Sequence, residues 1–408
     1  MSLRCDVLVI GAGPAGSCAA RAAAIKGADV ILIEKKEYPG KVACGEAISN
    51  ILLPMMPFRI PKDKLKWKLE GMSFYAEGIN IERRGNFWGS YSLDRRDFDY
   101  WLAKEAVKAG AKLMTSTELI DVEHDKYFVE KAIANTKNGT VEIEPKIVIA
   151  ADGVESTTLK SLGMYKPKKG DIAEVHSWEM SNLKLDKPEL EHIYLGDFSD
   201  GGYAYIFPKS KTTANVGTGS MKNIKLDERF EEFLEIPEVN KQLKNGRKSI
   251  ERSGKAPVRP FLEKVVHGNF IFVGDAAFQN FKPFVEGISP AIICGDIAGK
   301  ICANHIYKSV RLESYPEKVK ARIGFIFEDS RKITNALYEI FEIKDNRRYL
   351  ANLALAANLF TYDELGKIKS YSYQEIKDKI ENESKKFLIP KIEENLETLY
   401  VKIKSIIS

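Results

Sequence analysis

The chain has 408 residues, 44% of them hydrophobic, with 62 Lys and Arg against 57 Asp and Glu and a formal net charge of +5. That length exceeds one ordinary core and predicts two closely packed domains, with room for a third small one. The near balance of charge, with no long like-charge block, argues against a nucleic-acid footprint, and five scattered cysteines without CxxC spacing or paired histidines argue against a disulfide scaffold and a structural zinc site.

Arg4 ahead of an apolar run imitates a signal peptide, but Asp6 and the ordered glycines that follow favour a buried strand over residues 6–10. Gly11, Gly13 and Gly16 then make a GxGxxG between that strand and a helix-forming run, the context a dinucleotide site requires. Gly11 permits the tight turn, Gly13 lets phosphate approach the backbone, and Gly16 allows the helix to lie close on the strand. Pro14 suits the first helical turn, where no N–H is needed, and Ala15 follows it at the end that offers unpaired N–H groups to a pyrophosphate. A second strand over residues 29–33 delivers Glu34, an acceptor for ribose hydroxyls, with Lys35 beside it as a further cofactor-binding candidate.

Further along, "PGKVACGEAIS" places Cys44, Gly45 and Ala47 in a glycine-flanked loop. Residues 71–88 and 172–219, rich in aromatics and alternating patterns, predict antiparallel strands of a second sheet. Apolar runs over 146–150 and 269–273 return to the first sheet and end in Ala151, Asp152 and Gly153 and in Gly274 and Asp275. From Ser309 onward Lys and Glu alternate with Leu, Ile and Phe at helical spacing. Residues 349–362 form an apolar run too short to span a bilayer, suited to a buried or interfacial helix. Cys5, Cys18, Cys294 and Cys302 fall in strand or helix patterns and read as small core residues.

The first GxGxxG, the central Asp152-Gly153 and the distal Gly274-Asp275 stand in an order that resembles the flavoprotein superfamily typified by para-hydroxybenzoate hydroxylase. The resemblance covers nearly the whole chain. It implies an α/β (α+β) fold: a Rossmann-like FAD-binding domain, an antiparallel-sheet substrate domain and a helical C-terminal region. The FAD-binding domain would draw on residues 1–70, 91–165 and 261–310, the substrate domain on 71–90 and 166–260, and the helical region on 311–408. Within this pattern Asp275 accepts from a ribityl hydroxyl, and Gly287 and Ile288, opening a helix, present N–H groups to the flavin pyrimidine edge. Arg95, in "RRDFDYWL", resembles the family's R-x-x-F-D arginine and meets cofactor phosphate or ribose. Asp152 and Gly153 serve either the turn or the ligand.

Two stretches narrow the resemblance to the geranylgeranyl reductase family. The Cys44 loop is similar to that family's Cys-Gly-Glu segment against the flavin, and Tyr203, Tyr205, Phe207 and Pro208, followed by Gly217 and Gly219, resemble its Y-x-W-x-F-P…GxG element. Tyr205 stands where tryptophan is usual, Asp200 where the family often has proline, and the glycine-rich turn after Pro283 is reduced to Glu286 and Gly287. The resemblance implies saturation of isoprenoid double bonds, commonly on archaeal membrane-lipid precursors; the strand reading of the start and the short apolar run at 349–362 lead to the expectation of a cytoplasmic protein with membrane contact only at its surface. Its electrons would come from NAD(P)H, ferredoxin or another carrier, since no second GxGxxG unit exists. The aromatic element either lines an apolar slot for a prenyl chain or belongs to the sheet core; at period two its side chains share one face, which permits both. The Cys44 thiol either delivers a proton, tunes the flavin or is simply buried. An aromatic-ring monooxygenase, a quinone-linked electron-transfer flavoprotein and a noncatalytic prenyl-lipid carrier are the rival readings.

Overall fold

A computed structural model describes residues 2–40, 42–260 and 262–385 of the chain. Strand Ser2–Ile10 pairs in parallel with Val30–Ile33 on one side and Gly139–Ala150 on the other, Gly139–Ala150 pairs in parallel with Phe270–Phe272, and Val30–Ile33 with Lys112–Met114. The apolar runs therefore meet in one sheet although they lie far apart in the sequence. Val7, Leu8, Val9 and Ile10 are all buried, as strands covered on both faces require. The run at 146–150 proves to be only the end of a twelve-residue strand. Its first half is largely exposed, with Ile143 buried, and pairs on one side with the hairpin strand Phe128–Thr136 and on the other, from Glu142 on, with the exposed start of Ser2–Ile10.

Helices Pro14–Ile25 and Ile288–Lys308 lie side by side against this sheet. A Cβ on Gly295 would sit 2.1 Å from the Ala15 carbonyl oxygen, and one on Gly299 2.1 Å from that of Ala19. Only glycine permits this approach, which brings the two helix N-termini to the same edge of the sheet. Cys5, Cys18, Cys294 and Cys302 are buried.

The second sheet has seven strands, in the order Arg247–Pro257, Ile172–Ser181, Ala214–Ser220, Gly202–Pro208, Leu190–Tyr194, Gly71–Ala76, Ile79–Arg84. It is antiparallel with one correction to the sequence reading: Leu190–Tyr194 runs parallel to Gly71–Ala76. These two strands come from separate parts of the chain and no hairpin joins them, so the antiparallel geometry of a tight turn is not imposed. A small third sheet of Ala47–Ser49, Ser90–Ser92 and Trp67–Leu69 bridges the two large ones.

Helices Ser314–Phe341 and Arg347–Ala356 close the second sheet. Leu350, Ala351, Leu353 and Ala354 are fully buried in a cluster that includes Phe74, Ile193, Tyr205 and Phe207. The apolar run at 349–362 is thus largely core and offers little surface for a membrane. Among the described residues no helix is long and apolar enough to cross one. The helical pattern expected beyond residue 385 lies outside the described residues.

Candidate active site

A cavity of about 1060 Å³ starts at the glycine turns, passes the Cys44 loop and the aromatic strand, and runs on between the C-terminal helices. At its start Gly11 adopts φ +95°, and a Cβ there would lie 2.5 Å from the Ala151 carbonyl oxygen. A Cβ on Gly16 would meet the Gly11 carbonyl oxygen at 1.9 Å, whereas one on Gly13 would meet nothing within 4 Å. Gly11 and Gly16 are therefore glycine for packing, while Gly13 faces open space. Gly13 caps helix Pro14–Ile25 with no side-chain acceptor and Pro14 has no N–H, so the N–H groups of Ala15 and Gly16 are left for a ligand.

Glu34 closes the far side of this cradle. Its carboxylate accepts the Ala12 N–H at 2.9 Å and the Lys36 N–H at 3.0 Å, which fixes its orientation and leaves a lone pair on each oxygen. Lys35 also lines the cavity. Asp152 accepts both the N–H and the hydroxyl of Thr158 at 2.9 Å through Oδ2, a turn-holding role, and Gly153 follows at φ +81°.

At the second helix start, Gly274 has φ +64° and Asp275 faces the cavity, while Gly287 precedes Ile288–Lys308 without a side-chain cap. Asp152 Oδ1, Glu286 Oε2 and Ser289 Oγ are buried and have no partner among the described residues. A helix N-terminus left open at Ala15 and Gly16, the carboxylate acceptor of Glu34 and the orphaned atoms of Asp152 and Glu286, spread along one trough, match a long, polar dinucleotide, so the residues fit FAD. Arg95 is buried and holds Asp99 through two bonds of 2.8 Å. Burial opposes its charge, but Asp99 and the nearby Cys44 thiol more than restore it, giving the cavity a permanent cation.

The Cys44 loop is anchored by residues that sequence reasoning missed. Glu46, only 1% exposed and at φ +60°, accepts from Lys209 Nζ at 2.8 Å and from the Arg95 N–H at 3.2 Å, and its own N–H donates to Cys44 Sγ at 3.3 Å. Asn215 donates to the Cys44 carbonyl at 2.5 Å. Lys209 also bonds Glu179 at 3.0 Å. Burial opposes the Lys209 charge, yet Glu46 and Glu179 hold its pKa above the ordinary lysine range. Burial raises the Cys44 thiol pKa, and Arg95 pulls it partly back. The signal for Glu46 was present in the quoted Cys-Gly-Glu; its lysine partner, directly after Phe207-Pro208, could be found only by folding the chain.

The loop meets the aromatic strand directly. A Cβ on Gly45 would lie 2.6 Å from the Phe207 ring, so glycine is what lets the two segments touch. Tyr203, Tyr205 and Phe207 stand along one face, with successive ring centroids 6.1 and 4.6 Å apart. All three line the cavity, as do Ala47 and Gly219. Pro208 and Gly217 do not. Gly217 instead makes room for Tyr205, whose hydroxyl a Cβ would approach to 2.6 Å. Past Phe284, whose carbonyl accepts from the Tyr203 hydroxyl at 2.9 Å, the cavity has an apolar arm between Phe325, Leu337, Phe341, Leu355 and Phe360, and Asp329, Lys332 and Tyr362 also line it.

Three buried ionisable groups face this space, none anticipated from sequence. Burial pushes the carboxyls of Glu191 and Glu286 up to about 7 and the Lys282 ammonium down to about 7. Lys282 bonds the Pro257 carbonyl at 2.9 Å and the Asn280 side chain.

Two family models match the chain: FAD dependent oxidoreductase over residues 6–154 and geranylgeranyl reductase catalytic domain over residues 171–254. The digeranylgeranylglycerophospholipid reductase of Methanococcus aeolicus is 36% identical over 76% of this chain and 79% of its own length. That of Methanocaldococcus jannaschii is 36% identical over 77% and 79%. The chain belongs to the geranylgeranyl reductase family of FAD-dependent oxidoreductases. Among solved structures, a geranylgeranyl bacteriochlorophyll reductase-like protein from Thermoplasma acidophilum superposes with a TM-score of 0.78 at 26% identity, covering 94% of this chain and 100% of that one. The flavin-dependent brominase Bmp2, with a TM-score of 0.65 at 18% identity over 98% of this chain and 99% of its own, shares the fold alone. Family membership makes the protein an FAD-using enzyme that reduces carbon–carbon double bonds.

Proposed function

We propose that the enzyme saturates the isoprenoid chains of an archaeal-type glycerolipid, one double bond at a time. The observation that carries this reading is the shape of the cavity: a polar trough for FAD continues, past one aromatic face, into an apolar arm built by the C-terminal helices. A small aromatic substrate needs no such arm, whereas a flexible prenyl chain needs apolar walls along its length and few polar contacts. In the division we favour, residues 1–70, 91–165 and 261–310 hold the cofactor, and the second sheet and the helices hold the lipid. Gly13, Ala15 and Glu34 face pyrophosphate and ribose, Asp275 the ribityl chain, and Gly287 and Ile288 the flavin ring. FAD supplies the hydride equivalent when reduced; the chain's own residues place the alkene and exclude water. An external carrier, NAD(P)H or ferredoxin, reduces the cofactor by transient contact.

The test is anaerobic incubation of dithionite-reduced protein with geranylgeranyl glycerolipid, followed by mass spectrometry. The product is to gain mass in steps of two hydrogens. Oxygen incorporation on exposure to air would support the monooxygenase, and unaltered lipid that stays bound would support the carrier.

A further inference from the structure

The reduction needs a proton for the second alkene carbon, and neither the family's motifs nor the glycine turns supply one. We propose that Glu191 is that acid: its carboxyl stands in the wall of the apolar cavity, oriented by Ser90, and gives its proton from Oε2 to the carbon next to the one that receives hydride. The proposal rests on the alkene-reduction reading.

Placement comes from strand register. Ile193 pairs with Tyr205 across the sheet, and Glu191, two residues earlier, shares the face of Ile193. That is the face of Tyr203, Tyr205 and Phe207, and all of these residues line the cavity. On its other flank Glu191 pairs with Met72, also a lining residue.

The side chain is 5% exposed, and Oε1 accepts from the Ser90 hydroxyl at 2.5 Å. Among the described residues Oε2 accepts no hydrogen bond and no cation pairs with the carboxyl. A buried carboxyl without a cation keeps its proton, because the charged form loses water and gains nothing in return. The titratable groups that face it are Glu286, from the loop before helix Ile288–Lys308, and Tyr203 on the neighbouring strand, which also faces Cys44. The Glu286 carboxylate raises the proton affinity of Glu191 further, while Ser90 lowers it by donating to the ionised form.

The other candidates are worse placed. Glu46 is already ion-paired with Lys209, Tyr203 is buried with its pKa far above that of free tyrosine, and the Cys44 thiol is raised. Glu286 also keeps one oxygen free, but it belongs to the turn before helix Ile288–Lys308, where its Oε1 accepts the Ser289 N–H at 2.9 Å, and not to the aromatic strand face. In the step itself the Glu191 O–H bond breaks, the alkene π pair forms the new C–H bond to that proton, and the hydride equivalent from reduced FAD completes the other carbon. Glu191 is left as a carboxylate held by Ser90 and regains a proton from water when product leaves.

The test uses FAD-loaded protein, reduced anaerobically and mixed with geranylgeranyl glycerolipid in single turnover across pH. Wild-type reduction should fall as pH rises past about 7, because only the protonated carboxyl can donate. Glu191→Gln should keep its FAD and its lipid-induced change in the flavin spectrum, lose about 10²-fold or more of the rate, and lose the alkaline limb. Ser90→Ala, which removes only the donor to the ionised form, should move that limb to higher pH. Independently of turnover, the infrared difference spectrum of the holoenzyme between acid and alkaline pH should contain a protonated-carboxyl band that is absent in Glu191→Gln. A Glu191→Gln protein with wild-type rate and pH profile, a Ser90→Ala limb that does not move, or an unchanged infrared band would each overturn the assignment. If wild type itself reduces no alkene while the band is present, it is the functional reading that fails.

Discussion

Cys44 and Glu46 show how a residue earns its place through what it touches. The thiol accepts the Glu46 N–H and lies beside Arg95, while the Glu46 carboxylate ties the loop to Lys209 on the far sheet. Cys44 therefore sits on a clamped loop at the point where cofactor trough and aromatic wall meet. With the proton assigned to Glu191, Cys44→Ser should leave FAD content unchanged and slow single-turnover reduction only a few-fold. A loss of about 10²- to 10⁴-fold would return acid catalysis to the thiol. Gly11, Gly13, Gly16 and Glu34 were legible because the motif is local and each position has its own steric or hydrogen-bonding reason. Glu191 was not. Its burial depends on the parallel partner Gly71–Ala76, far away in the sequence, and on the cavity wall it shares with Tyr203 and Tyr205.

Among the elements, the pair of helices behind the parallel sheet decides how far apart two glycine-started helix N-termini lie at the cavity. Helix Ile288–Lys308 approaches Pro14–Ile25 over Gly295 and Gly299, and this approach sets the spacing between the Gly13 and Gly287 N-termini. Gly299→Ala puts a methyl group 2.1 Å from the Ala19 carbonyl oxygen, so the helices must part. The clash should cost about 1–3 kcal/mol, only partly offset by the better helix propensity of alanine, and should lower both the denaturant midpoint and FAD retention. Gly366→Ala, at the end of helix Tyr362–Gly366 with nothing within 4 Å of the added Cβ, should be neutral or slightly stabilising. The strands of the first sheet were readable as apolar runs because both their faces are covered. The first half of Gly139–Ala150, an exposed hairpin arm with no apolar run to announce it, was not, and the parallel pairing of Leu190–Tyr194 was not because its partner Gly71–Ala76 is distant in sequence.

At the scale of the whole molecule, the chain builds one continuous space from two sheets and a helical cap, lined by the glycine turns and Glu34, the clamped loop, the aromatic rings and an apolar arm. The motifs gave the cofactor. The arm was hidden because it is lined by side chains of separate helices, Phe325 and Leu337 from Ser314–Phe341 and Leu355 from Arg347–Ala356. The central claim is that electrons leave reduced FAD for a lipid double bond in this space without oxygen. The most direct measurement is anaerobic: protein reduced with one equivalent of dithionite is mixed with geranylgeranyl glycerolipid, and the visible absorbance of oxidised flavin is followed while the lipid is quantified. The account predicts that the oxidised spectrum returns under strict exclusion of oxygen, with one double bond lost per FAD reoxidised. A flavin that stays reduced in the presence of lipid and reoxidises only when air is admitted would contradict it.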